Sequence, residues 1–171
     1  DPELREIFLE EYEQVLEVLQ QAIPEWMNHL EDVDSLTDIR RAFHTLKGSG
    51  RMVGAEELGD FSWEIENMLN ALLEGRIQEL GDTSMMVRLA QASLPALRQR
   101  MLQQEAGLTR PMILAVGECA RALSQGHGAD WGRLRTLLPK YLANMLPEGE
   151  APGRGAGTAP EAAGDETEIL R

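Results

Sequence analysis

Cysteine, aromatic residues and positive charge are all scarce in this chain, and each scarcity excludes something. The 171 residues include one cysteine, Cys119, so the chain has no internal disulfide and no Cys-rich metal site. Near-absence of cysteine fits a reducing compartment, and a cytoplasmic location is expected. Aromatics make up 5% of the residues while hydrophobic residues as a class reach 43%, so Leu, Ala and Met must fill most of the core. That mix favours helices over sheets. Lys and Arg number 16 against 29 Asp and Glu, a net charge of −13. Nucleic acid and anionic membrane surfaces both call for clustered basic residues, so neither is an expected partner. No apolar run approaches the ~18 residues that span a bilayer, and no basic segment leads into an apolar one as in a secretory signal. Alternating Val, Ile and Thr runs between hairpin turns are missing too, so no strands are expected. The chain starts at Asp1 without a methionine and is expected to be a piece of a longer protein.

What is present is helical periodicity. Residues 3 to 23 read as an acidic helix with Leu4, Ile7, Phe8, Val15, Leu16 and Leu19 near one face. Pro24 is expected to interrupt it, and a second stretch through Trp26, Met27 and Leu30 ends near Asp34. Ser35 or Thr37 can cap the next helix, in which Leu36, Ile39, Phe43, Leu46, Gly50 and Val53 form a continuous seam. A third helix, about Ala55 to Glu74, buries Leu58, Phe61, Ile65, Met68 and Leu72, and Gly75 stops it. A fourth, about Thr83 to Gln104, uses Met86, Leu89, Ser93, Leu97 and Met101, with Gly107 as its end. A shorter helix runs from Pro111 to about Leu123 with Ile113, Val116, Ala120 and Leu123 inward, GHGAD forms a turn, and Trp131 to Met145 is helical but broken at Pro139. Residues 147 to 164 are Pro, Gly, Ala and Glu without a large apolar side chain, and read as a linker.

The expected fold is therefore all-α: an antiparallel up-down bundle over residues 1–106, accessory C-terminal helices packing on it over 107–146, and a flexible tail over 147–171.

One stretch runs against helix propensity. HTLKGSG, residues 44 to 50, places two glycines in a helix interior, where each costs about 1 kcal/mol relative to alanine. At about 100° per residue, Arg40, His44, Lys47 and Arg51 form a second stripe roughly a quarter turn from the seam. His44 then sits at the core edge with its ring tip in solvent, and Lys47, one turn on, can neutralise phosphate oxygens as a mobile point charge. Gly48 faces outward beside His44 and clears space for a partner, while Gly50 lies on the seam and permits close helix approach. Tight packing alone could also account for the glycines. GSGRMVG is not a dinucleotide loop, because it lacks the strand–turn–helix setting that such a loop needs. His29 and His127 receive no role, and Cys119 reads as a small buried residue.

The segment FHTLKGSGRMVGA, residues 43 to 55, resembles the phosphoacceptor motif of histidine-phosphotransfer (HPt) domains, particularly those of chemotaxis-type histidine kinases. The family motif continues one helix later with a histidine and, three residues on, a glutamate. Here Trp63 stands at the histidine place and Glu66 at the glutamate place. The resemblance spans roughly residues 1 to 105. It implies a helical bundle in which His44 accepts a phosphoryl group, Lys47 assists, and Glu66 bonds the other imidazole nitrogen. A carboxylate accepting from Nδ1–H fixes the tautomer and leaves Nε2 as nucleophile. Gly48, Ser49, Arg40 and Arg51 are the expected approach surface for a partner.

No nucleotide loop or metal constellation of its own is visible. ATP and Mg²⁺ would belong to the partners the resemblance implies: a histidine kinase catalytic domain and response-regulator receiver domains. The chain is then a substrate and carrier rather than the catalyst, part of a sensor histidine kinase. A docking module that has lost phosphotransfer is the alternative, although such loss would tend to remove the histidine, lysine or glycine. Acid-then-apolar ends, DPELR at 1 to 5 and DETEILR at 165 to 171, resemble the repeat starts of multi-HPt kinases from type IV pilus and twitching-motility systems.

Overall fold

The structure, a computed structural model, describes residues 1–148. All but the first two residues of the linker expected from 147, and the repeat-like end after it, lie outside the described residues. Seven helices run in chain order: α1 (Pro2–Asn28), α2 (Val33–Met52), α3 (Glu56–Leu73), α4 (Leu80–Met101), α5 (Arg110–Ser124), α6 (Trp131–Leu137) and α7 (Lys140–Ala143). Among the described residues there is no strand, and no helix is long and apolar enough to cross a membrane.

Four helices close on themselves. α1 packs on α2, α2 on α3, α3 on α4, and α4 returns to α1. Cross-helix bonds show each neighbour running antiparallel to the next. Ser49 reaches back to Glu11, His44 to Glu66, and Arg100 to Glu57, while Arg5 and Tyr12 near the start of α1 bond carbonyls of Met101 and Leu94 near the end of α4. α5 packs on α3 and α4 and runs parallel to α3, since Arg110 meets Glu57 and Arg121 meets Glu64. One compact unit spans Asp1–Ala129, so α5 joins the four-helix core. A second unit begins at Asp130 and contains α6 and α7. There the Arg135 guanidinium donates to the carbonyls of Ala143 and Leu146, satisfying acceptors at and just past the end of α7. The stretch expected as one accessory piece, 107–146, is thus divided between the two units.

The seam of α2 is as expected through Leu36, Ile39, Phe43, Leu46 and Gly50, which are all buried; Val53, expected to continue it, is the C-cap residue and only half-buried. α1 differs. Leu4 and Ile7 are exposed, and the buried face steps through Phe8, Tyr12, Val15, Leu19, Ile23 and Trp26. Pro24 does not interrupt this helix. Proline inside a helix costs about 3 kcal/mol, and burying a large apolar side chain returns about 1.5–3 kcal/mol. Ile23 and Trp26 are both almost fully buried on the helical repeat, so together they outweigh the proline. Gln20, whose carbonyl loses its partner, is an exposed residue and can turn that oxygen to water.

Helix ends account for the remaining differences. Asp32, not Ser35 or Thr37, caps α2, accepting from the backbone of Asp34 and Ser35, and the Ser35 hydroxyl donates to the same carboxylate. α4 starts three residues before Thr83, with Glu79 as its cap. It ends at Met101, well short of Gly107, because Gln103 adopts the left-handed φ of 60° and hands its own and the next N–H to the last carbonyls.

Candidate functional site

α2 and α3 place the site between them. On α2, Phe43 and Leu46 are pinned in the core, so Arg40, His44 and Lys47 follow each other along the adjoining stripe. On α3, burial of Ile65 and Leu69 turns the next residue, Glu66, towards that stripe. The Glu66 side chain is only 4% exposed, an unusual position for a carboxylate. It is buried because α2 surrounds it with donors. His44 Nδ1 lies 2.8 Å from Oε2, Lys47 Nζ lies 2.8 Å from Oε1, and Arg40 stands 3.7 Å from Oε2. Lys47 satisfies Oε1 as an ion pair, since that oxygen has no directed hydrogen bond. Burial alone would push the Glu66 carboxyl up; contact with Lys47 and then with His44 outweighs it and holds the group below its ordinary value.

These contacts set the chemistry of the ring. An ionised carboxylate only accepts, so the 2.8 Å contact places a proton on Nδ1, and the neutral ring keeps its lone pair on Nε2. The His44 side chain is 59% exposed, and Nε2 is the nitrogen turned away from Glu66. Two permanent cations share one carboxylate, so the cluster carries a surplus positive charge beside a nucleophilic nitrogen. Among the described residues, grooves of 450, 340 and 320 Å³ are lined by residues other than His44, Lys47 and Glu66. With most of its side chain in solvent, the ring is open to approach from outside the bundle.

The three glycines near the motif have three different settings. A Cβ at Gly48 would meet nothing within 4 Å, so packing does not require glycine there. At Gly50 it would lie 3.4 Å from the Ala55 carbonyl oxygen and 3.6 Å from the Gly59 nitrogen, where α2 and α3 converge. Gly54 ends α2 with a left-handed φ of 82°.

The structure brings Arg40, His44, Lys47 and Glu66 together, with Gly48 open beside them. It does not bring Arg51 or Ser49. Arg51 lies over Gly59 and pairs with Asp60 at 3.2 Å, while the Ser49 hydroxyl donates to Glu11 at 2.6 Å on the α1 side of α2. One contact went unforeseen. Lys47 Nζ sits 5.1 Å from the centre of the Trp63 ring, which lies one turn before Glu66 on α3. Helical arithmetic could have found it, because residues 63 and 66 share a face.

Fold and site together define a four-helix bundle presenting one exposed histidine backed by a buried carboxylate. Residues 3–105 match the family model described as the Hpt domain, and the chain belongs to that family. It is similar to chemotaxis protein CheA of Borreliella burgdorferi, at 29% identity over 99 residues, which is 58% of this chain and 11% of that protein. It is also similar to chemotaxis protein CheA of Rhizobium meliloti, at 26% identity over 160 residues, which is 93% of this chain and 18% of that protein. The chain therefore spans about a tenth to a fifth of the length of these relatives. No solved structure matches it.

Proposed function

We propose that the chain is a phosphorelay module of chemotaxis-type two-component signalling, in which His44 Nε2 carries the phosphoryl group. The observation that carries this reading is the 2.8 Å contact between His44 Nδ1 and the buried Glu66 carboxylate. As the Nε2–P bond forms and the bond to ADP breaks, the ring keeps its Nδ1 proton and becomes positively charged. Glu66, already in place, stabilises that charge without reorganising. Lys47 and Arg40 offset the negative charge of the arriving phosphoryl oxygens. ATP and Mg²⁺ would be supplied by a kinase catalytic domain and by a receiver domain, whose aspartate takes the group onward. Membership of a type IV pilus system rests only on the sequence resemblance.

The deciding experiment incubates the protein with its cognate kinase catalytic domain and labelled ATP. Acid-labile, base-stable label on His44 is the expected result; a protein that binds the kinase and stays unlabelled is only a docking module.

Gly48 gives a second test. Gly48→Gln should stabilise α2 by about 0.5 kcal/mol, because helix propensity rises and the side chain meets no neighbour. The same side chain would stand where a receiver must approach His44, and transfer to the receiver should slow at least about tenfold. Denaturant melts and receiver-dependent loss of label measure the two effects. A variant that is less stable yet fully active would remove the clearance role.

A further inference from the structure

We propose that Trp63 is a positioning residue for Lys47, holding the ammonium beside His44 through the face of its indole ring. The inference rests on the phosphoacceptor reading above. Lys47 reaches across from α2 on a flexible four-carbon stem, and its side chain is 18% exposed. Two α3 groups receive it: Glu66 Oε1 at 2.8 Å and the Trp63 ring, with its centroid 5.1 Å away, inside the ~6 Å reach of a cation–π contact.

The two supports differ in kind. Glu66 attracts the ammonium but also offsets its charge and engages its protons. An aromatic face attracts a cation while carrying no net charge and no lone pair. The ring thus confines Lys47 and leaves its charge and remaining N–H groups for phosphoryl oxygens on His44. Without the ring, Glu66 is the only tether, and the stem recovers rotamers that carry Nζ into solvent. Trp63 and Glu66 stand one turn apart on α3, so a single helix face sets both contacts. Trp63 also lines the groove between α3 and α5 with Leu114 and is 39% exposed as a residue, so a role as an anchor for a partner protein is the rival account.

The experiment compares wild type, Trp63→Leu and Trp63→Phe with the cognate kinase catalytic domain and labelled ATP, and follows the Lys47 Hε resonances by NMR. Leucine keeps apolar bulk and removes the π face; phenylalanine keeps a face. For Trp63→Leu, the rate at saturating kinase should fall about three- to tenfold with KM unchanged. The Lys47 Hε signals should lose their ring-current shift, and Trp63→Phe should recover most of the rate. A Trp63→Leu variant with unchanged saturating rate overturns the proposal. So does a loss confined to KM, which identifies Trp63 as a docking anchor. Wild-type protein that takes no label overturns the phosphoacceptor reading itself, and is distinguishable because no variant comparison enters it.

Discussion

His44→Gln protein is expected to take up no label from kinase and ATP while folding as the parent does. Loss of acceptance is total rather than partial, because no other group on this face replaces Nε2. Lys47 is occupied by Glu66 and Trp63, and His29 and His127 belong to the end of α1 and the turn after α5. Retention of the fold follows from where His44 stands. The seam that binds α2 to its neighbours runs through Leu36, Ile39, Phe43 and Leu46, and His44 lies beside it with most of its side chain in water. Glutamine propagates a helix well and can offer an amide N–H towards Glu66, so the buried carboxylate is not stranded. The unfolding free energy should stay within about 0.5 kcal/mol of the parent, the usual range for surface changes. Autoradiography and a denaturant melt test the two halves separately. Label remaining at the parental level would place the acceptor elsewhere; a variant that fails to fold would show that the ring belongs to the core.

Much of the bundle was readable because its seams obey one period. Phe43 and Ile65 are core by spacing alone, the glycine stop after Leu73 is visible as Gly75, and the turn after α5 as GHGAD. Where the reading differed, a local rule had lost to packing or was met by a less typical residue. Pro24 announces a break, yet Trp26 falls on the buried repeat and carries α1 onward. Asp32 hides as a cap inside an acidic run, and Gln103 takes a backbone conformation normally left to glycine.

The site divides in the same way. The placing of His44, Lys47 and Glu66 follows from helical arithmetic and the motif. The fates of Arg51 and Ser49 do not, because both are long enough, or turned far enough, to be claimed by other helices. Asp60 takes the first and Glu11 the second. A stripe on a single helix cannot show what the neighbouring helices offer it. Trp63 was visible only as a departure from the motif, and its partner emerges once α2 and α3 are set side by side.

Glu66 is where site and stability meet, and Glu66→Ala should affect both. Phosphorylation by the kinase is expected to slow by about 10- to 100-fold, at or below the low end for positioned acid–base groups, because His44 is largely exposed and keeps some activity unaided. The slowing has two sources that a second variant separates. Glu66→Gln can still accept from Nδ1–H and hold the tautomer, but carries no charge against the developing positive ring. If orientation dominates, Gln should recover most of the lost rate; if charge dominates, it should behave like Ala. Kinase binding should change little in either, since the carboxylate is buried. The pH dependence has a definite sign. Glu66 in the folded chain sits below its ordinary value of 4.5, so it contributes stability that is fully present above that pH and is lost as pH falls through the folded value. Wild type should therefore lose more stability than Glu66→Gln on going from pH 6 into the acid range below about 4.5, and the two curves should run parallel above it. Equal phosphorylation rates in all three proteins, with superimposable stability curves, would remove Glu66 from the site and leave His44 and Lys47 to act without it.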